Sequence, residues 1–103
     1  MSNVYDRQGR PISYDEWADL RERDLVVEKT TIGGIDISTV WLGLDHQWDP
    51  DGPPHIFETM IFEQGPLDQE CWRYSTEADA LAGHRRACDK VRFALSCRFA
   101  GVE

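Results

Sequence analysis

The stretch Asp24–Leu44, DLVVEKTTIGGIDISTVWLGL, decides the fold. Asp24 to Thr31 is rich in β-branched residues and reads as a strand. Ile32-Gly33-Gly34-Ile35 follows, and two adjacent glycines supply the positive φ angles that a tight hairpin turn needs. Residues 35–45 then form the returning strand. Ile35, Ile37, Thr39, Trp41 and Gly43 fall on one side of it, and Asp36, Ser38, Val40, Leu42 and Leu44 on the other. The apolar residues change side halfway along. That pattern implies a bulge, a twist, or a late section buried on both faces.

Working outward, residues 46–54 form a loop crowded with Asp, Gly and Pro. His55–Phe62 (HIFETMIF) is a third strand, Gln64-Gly65-Pro66 turns the chain, and Glu70–Tyr74 is a short fourth strand. Ser75 or Thr76 caps a final helix, with Glu77 and Asp79 placed well against its dipole. Leu81, His84, Cys88, Val91 and Leu95 recur at helical spacing and form its apolar stripe. Arg85, Arg86, Lys90 and Arg92 cover much of its other side. On the amino-terminal side, Ser13 and Glu16 fit a capping box, which predicts a short helix over about residues 14–22. Residues 1–12 read as an extended arm or turn. The expected architecture is α+β: an antiparallel four-stranded meander, a short N-terminal helix, and a long C-terminal helix packed on one sheet face. The chain reads as a single domain over 1–103, with the arm at 1–12, a folded core at 13–97 and a tail at 98–103.

Composition narrows the classes. Hydrophobic residues make up 41% of the 103, enough for one modest core. Nineteen acidic against eleven basic residues give a net charge of −8. That field repels phosphates and anionic lipid, which argues against generic nucleic-acid or membrane-surface binding. The three cysteines form no C-x-x-C pair and read as reduced, mostly buried thiols. No run approaches membrane-spanning length and the N-terminus shows no apolar leader, so a cytoplasmic location is expected.

No spacing matches a catalytic signature or a cofactor motif, so no catalytic residue and no cofactor are assigned. His46 and His55 bracket the central loop, and with Asp45 they are the metal-ligand candidates; no third-ligand spacing completes a known pattern. His55 and Glu58 are three apart, but on a strand they diverge. His84 interrupts an apolar stripe, and reads first as a core histidine satisfied by a strand side chain or carbonyl, and second as a pocket residue. Trp48 reads first as an anchor for the loop and second as a residue presented to a partner. Arg73, Arg85 and Arg86 are expected to pair with the abundant carboxylates. The candidate ligand- or partner-binding residues are therefore His46, Trp48, His55, Arg73, Tyr74 and His84.

Four strings carry a resemblance. YDRQGRPISYDEWADL (Tyr5–Leu20), STVWLGLDH (Ser38–His46), GPPHIFETMIF (Gly52–Phe62) and CWRYSTEADALAGH (Cys71–His84) resemble short proteins of bacteriophages and prophages, especially of actinobacteria. The likeness covers most of residues 5–92. It implies a setting, the cytoplasm of a bacterial host, rather than an activity. In that setting the first reading is a non-catalytic binding protein that recognises a host or phage macromolecule, with a protein as the expected partner. The second is an anti-defence factor that blocks a defence protein or sequesters a small nucleotide, for which Trp41, Trp72, Tyr74, Arg73 and His84 would supply stacking and charge. The third is a small metal-dependent enzyme. A sheet covered by one helix leaves edges and one face open, which also admits a homodimer.

Overall fold

The computed structural model describes residues 4–45, 52–62 and 70–99. Helix α1 (Tyr14–Asp24) is followed by strands β1 (Val26–Ile32), β2 (Ile35–Trp41), β3 (Phe57–Phe62) and β4 (Cys71–Tyr74), and then by helix α2 (Glu77–Phe99). The strands form one antiparallel sheet in the order β1-β2-β3-β4, and α2 packs across it. This is the expected α+β meander. The turn expected at Gln64–Pro66 lies outside the described residues, as do residues 100–103 of the tail expected at 98–103, whose first two residues belong to α2.

Local chemistry sets the element ends. The α1 capping box is closed in both directions: the Glu16 amide donates to Ser13 Oγ (3.2 Å) and the Ser13 amide to Glu16 Oε1 (3.5 Å). Thr76 caps α2, its Oγ1 accepting from the Asp79 amide at 3.1 Å. Gly33 and Gly34 both take positive φ in the β1–β2 hairpin. Strand β2 ends sooner than its apolar residues suggest, because Gly43 bends the chain at φ +75. An added Cβ there would lie 2.5 Å from Trp17 Nε1 and 2.7 Å from Trp41 Cζ2, so two tryptophans close on a position only glycine can fill. Trp17 Nε1 donates to the Leu42 carbonyl at 2.9 Å and pins α1 to this bend.

The N-terminal arm is folded back on itself. Val4 bridges to Leu44 and Tyr5 to Pro11, and the Tyr5 amide donates to the Gly43 carbonyl at 2.8 Å. Val4 is fully buried. Arg7 Nε reaches Glu77 Oε1 at 2.9 Å, joining the arm to the start of α2.

The covered face of β2 is buried without interruption at Ile35, Ile37, Thr39 and Trp41. The change of side read from the sequence does not occur on β2. The irregularity lies in its neighbour, between Val26 and Glu28, opposite Val40 and Thr39. Thr39 stays inside because it has polar company. His84, 2% exposed, places Nδ1 2.7 Å from Thr39 Oγ1 and Nε2 2.9 Å from Thr30 Oγ1, and Thr39 Oγ1 lies 2.6 Å from Thr59 Oγ1. This row separates two apolar clusters. One gathers Ile35, Ile37, Ile61, Ala87, Cys88 and Val91; the other gathers Trp41, Ile56, Phe57 and Ala80.

Replacing Thr39 by Val keeps the shape and removes the hydroxyl shared by His84 and Thr59. The variant should lose about 1–3 kcal/mol of unfolding free energy in urea titration, since buried polar groups would be left unpaired.

Candidate functional site

The covered face of the sheet is wider than one helix, so α2 leaves a groove along each flank. On the β4 side the groove is a cleft of about 220 Å3 lined by Trp72, Tyr74, Gly83, Arg86, Ala87 and Lys90. Trp72 and Tyr74 alternate with Arg73 on β4, so both rings face α2. Gly83 gives Tyr74 its place: a Cβ at that position would collide with the Tyr74 hydroxyl and ring. Lys90 Nζ sits 5.4 Å from the centre of the Trp72 ring and also pairs with Glu70. Arg86 is one helical turn before Lys90 and exposed, with no ion pair to a described residue.

The groove on the β1 side, about 310 Å3, is lined by Glu28, Thr30, His84, Arg85, Cys88, Asp89 and Arg92. Its floor is His84, the satisfied core histidine that the stripe predicts, bonded to two strand hydroxyls. Burial pushes the His84 ring below the ordinary histidine value, and the charge of Glu28 opposes this only in part. Asp89 pairs with Arg92 at 3.3 Å, while Arg85 has no ion pair to a described residue.

The structure sorts the sequence candidates. Trp72 and Tyr74 share a cleft. Arg73 points to the opposite face of the sheet and pairs with Glu58 at 3.1 Å, as expected of a basic residue among carboxylates. Arg85 and Arg86 do not follow that expectation: neither has an ion pair to a described residue, although Arg85 shares a groove with Glu28 and Asp89. Trp41 is buried in the second apolar cluster, against which Tyr74 packs, and His84 in the polar row; neither lines the Trp72–Tyr74 cleft. His46 and Trp48 lie outside the described residues. At the neck of the loop, Asp45 Oδ1 accepts from the His55 amide at 3.1 Å, which holds the two strand ends together. Among the described residues no group of three or more His, Cys, Asp or Glu side chains is placed to hold a metal ion. Nor is any helix among them long and apolar enough to cross a membrane.

The cysteines depart from the expected burial. Cys88 is buried, but Cys71 and Cys97 are exposed. Cys71 lies on an edge strand, with its side chain on the sheet face that α2 does not cover. Its thiol is pushed up to about 11 by partial burial, then by the Sγ hydrogen bond to Glu58 Oε2 (3.0 Å) and by that carboxylate's charge; Arg73 opposes them and loses.

Compared with known proteins, the chain matches no family model, no curated protein and no solved structure. The cleft residues missed in the sequence, Arg86 and Lys90, had a signal there: two cations four apart on a helix that follows a strand with aromatics two apart. Which flank of the helix meets which strand is not written in either periodicity.

Two measurements follow from these side chains. The unfolded chain binds a proton at His84 more readily than the folded one, so stability is fully present above about pH 6.5 and falls as pH drops through that value toward the lower folded one. Urea titrations at about pH 7 and about pH 5 should show a larger loss for the natural chain than for His84→Gln. At about pH 8, iodoacetamide should alkylate Cys71 slowly despite its exposure, and Glu58→Gln should speed it by about tenfold or more, because the thiolate is the reacting form.

Proposed function

We propose that this chain is a binding protein with no chemistry of its own, of phage or prophage type, and that it recognises an acidic segment of another protein through the Trp72–Tyr74–Arg86–Lys90 cleft. The observation that carries this reading is Arg86. In a chain of nineteen acidic residues it stands beside two aromatic rings and a second cation with no carboxylate partner among the described residues. A guanidinium left open next to exposed aromatic surface is the composition of a recognition hot spot. The helix that carries it is basic on its outer side, at Arg85, Arg86, Lys90 and Arg92, while the rest of the chain is strongly acidic. The body repels polyanions, and the helix attracts carboxylates presented at short range.

A small nucleotide is the second reading, supported by the same pairing of rings and cations. The size of the cleft decides the order. About 220 Å3 falls short of the roughly 300–1,000 Å3 of pockets that enclose a small molecule, and a shallow cleft suits a side chain or two of a protein segment.

The test is capture from phage-infected and uninfected host lysates by the natural chain and by the double variant Arg86→Glu/Lys90→Glu, both folded by circular dichroism. A protein retained by the natural chain and lost with the variant supports the first reading. A thermal shift with nucleoside triphosphates or cyclic dinucleotides that the variant abolishes would replace it with the second. Equal capture by both chains, with no nucleotide shift, would overturn both.

A further inference from the structure

Strand β1 is an edge of the sheet, and β2 is its only neighbour among the described strands. Ile32 and Ile35 close the two-residue turn at Gly33-Gly34, which makes them a hydrogen-bonded pair. Alternation along the strand then gives Thr30 and Glu28 their backbone bonds to β2, and turns the amides and carbonyls of Lys29 and Thr31 outward. The other strand has the same phase, since the Trp41 amide donates to the Leu25 carbonyl at 2.8 Å. Among the described residues nothing pairs with the outward groups of Lys29 and Thr31, and both residues are exposed. The stretch holds no proline, and its bulge lies at the far end, between Val26 and Glu28. Such an edge is a template for another strand.

The charges beside this edge say which strand fits. Lys29 pairs with Ser38 and Thr31 with Asp36, so these four side chains share the sheet face that α2 leaves open. Asp36 Oδ1 accepts from Thr31 Oγ1 at 2.6 Å. Among the described residues Asp36 has no cation and Lys29 has no carboxylate. A second β1 strand can join antiparallel about a two-fold axis in few registers, because outward residues must meet outward residues. Centring the pair on Lys29 sets ammonium against ammonium. Centring it on Glu28 sets carboxylate against carboxylate and draws the bulge into the ladder. Like charges directly opposite one another destabilise both. Centring it on Thr31 leaves Lys29 opposite Gly33, in the turn. Centring it on Thr30 has none of these faults, and it lines up Lys29 with the partner's Thr31 and, one strand further, the partner's Asp36. A lysine on an edge strand guards against pairing; here it removes one register and favours another.

We propose that a second copy of this chain adds to the β1 edge, antiparallel about a two-fold axis between the two Thr30 residues. Lys29 and Thr31 exchange backbone hydrogen bonds with the partner's Thr31 and the partner's Lys29. Each Lys29 stem lies along the row, and its ammonium reaches the partner's Asp36. The two sheets become one, with both α2 helices on the same face. The β1-side grooves then open onto each other, and the Trp72–Tyr74 clefts, which contribute no residue to the joint, stand at the two outer margins.

The experiment is sedimentation velocity on the full-length chain from micromolar to millimolar concentration, with amide hydrogen exchange at both ends of that range. A joint this small, between chains that each carry a net charge of −8, forms at high concentration. The expected result is a monomer that becomes a dimer and grows no further. Exchange at the Lys29 and Thr31 amides slows in step, while the Cys71 and Arg73 amides on the opposite edge are unchanged. Lys29→Glu puts a carboxylate beside the partner's Asp36 and should weaken association by about tenfold or more. The reversed pair Lys29→Glu/Asp36→Lys should restore it, both variants being checked as folded by circular dichroism. A monomer at every concentration overturns the proposal, whether the edge stays bare or a strand of a different protein takes it. Growth beyond a dimer overturns it too, since joining β1 to β4 is head-to-tail and does not close. So does a dimer that Lys29→Glu leaves intact, or one that the reversed pair fails to restore.

Discussion

A row of four side chains, Thr30, His84, Thr39 and Thr59, holds the centre of this protein. It is a polar band laid through an apolar core, and every layer touches it: α2 supplies the histidine, and three neighbouring strands supply one hydroxyl each. Apolar contact is tolerant of sliding, because one methyl group replaces another at little cost. Hydrogen bonds between buried groups are not tolerant in that way, since a displaced partner leaves a desolvated atom behind. The row therefore sets the register of helix on sheet, and with it the positions of everything α2 carries. Lys90 over Trp72, Gly83 under Tyr74 and Glu77 opposite Arg7 all follow from where His84 is held.

The parts of this arrangement that depend on neighbours in sequence were legible before the structure. Paired glycines announced the hairpin, Ser13 with Glu16 announced α1, and the 3,4 spacing from Leu81 to Leu95 announced the inward side of α2. What depended on neighbours in space was not. Thr39 falls on the side of Ile35, Ile37 and Trp41, but the partners that satisfy its hydroxyl are twenty and forty-five positions away. The bulge belongs to β1, where nothing in VVEKTTI marks it. Val4 looks like one apolar residue in a polar arm, and its burial comes from a bridge to Leu44. Of the candidate site, both aromatics of β4 were visible. Their cationic partners were visible only as the solvent side of a helix, since no periodicity states which flank of a helix a strand will meet.

The charge of the chain is distributed as well as counted. Basic groups concentrate on the outer side of α2, while the carboxylates dominate α1 and the loops. The β4-side groove has a cationic rim of Arg86 and Lys90 over aromatic rings, while the β1-side groove sets Glu28 and Asp89 against Arg85 and Arg92. One small domain thus presents recessed surfaces of different electrostatic character.

The ion pair between Arg7 and Glu77 spans seventy positions of chain. During synthesis Arg7 is made seventy residues before its partner. Val4 finds Leu44 once the first hairpin is out, but the arm is fastened at both ends only after β4 has turned the chain toward α2. The arm is thus made well before it can be fully locked down, and a nascent chain stalled before Glu77 holds its arm at one end alone.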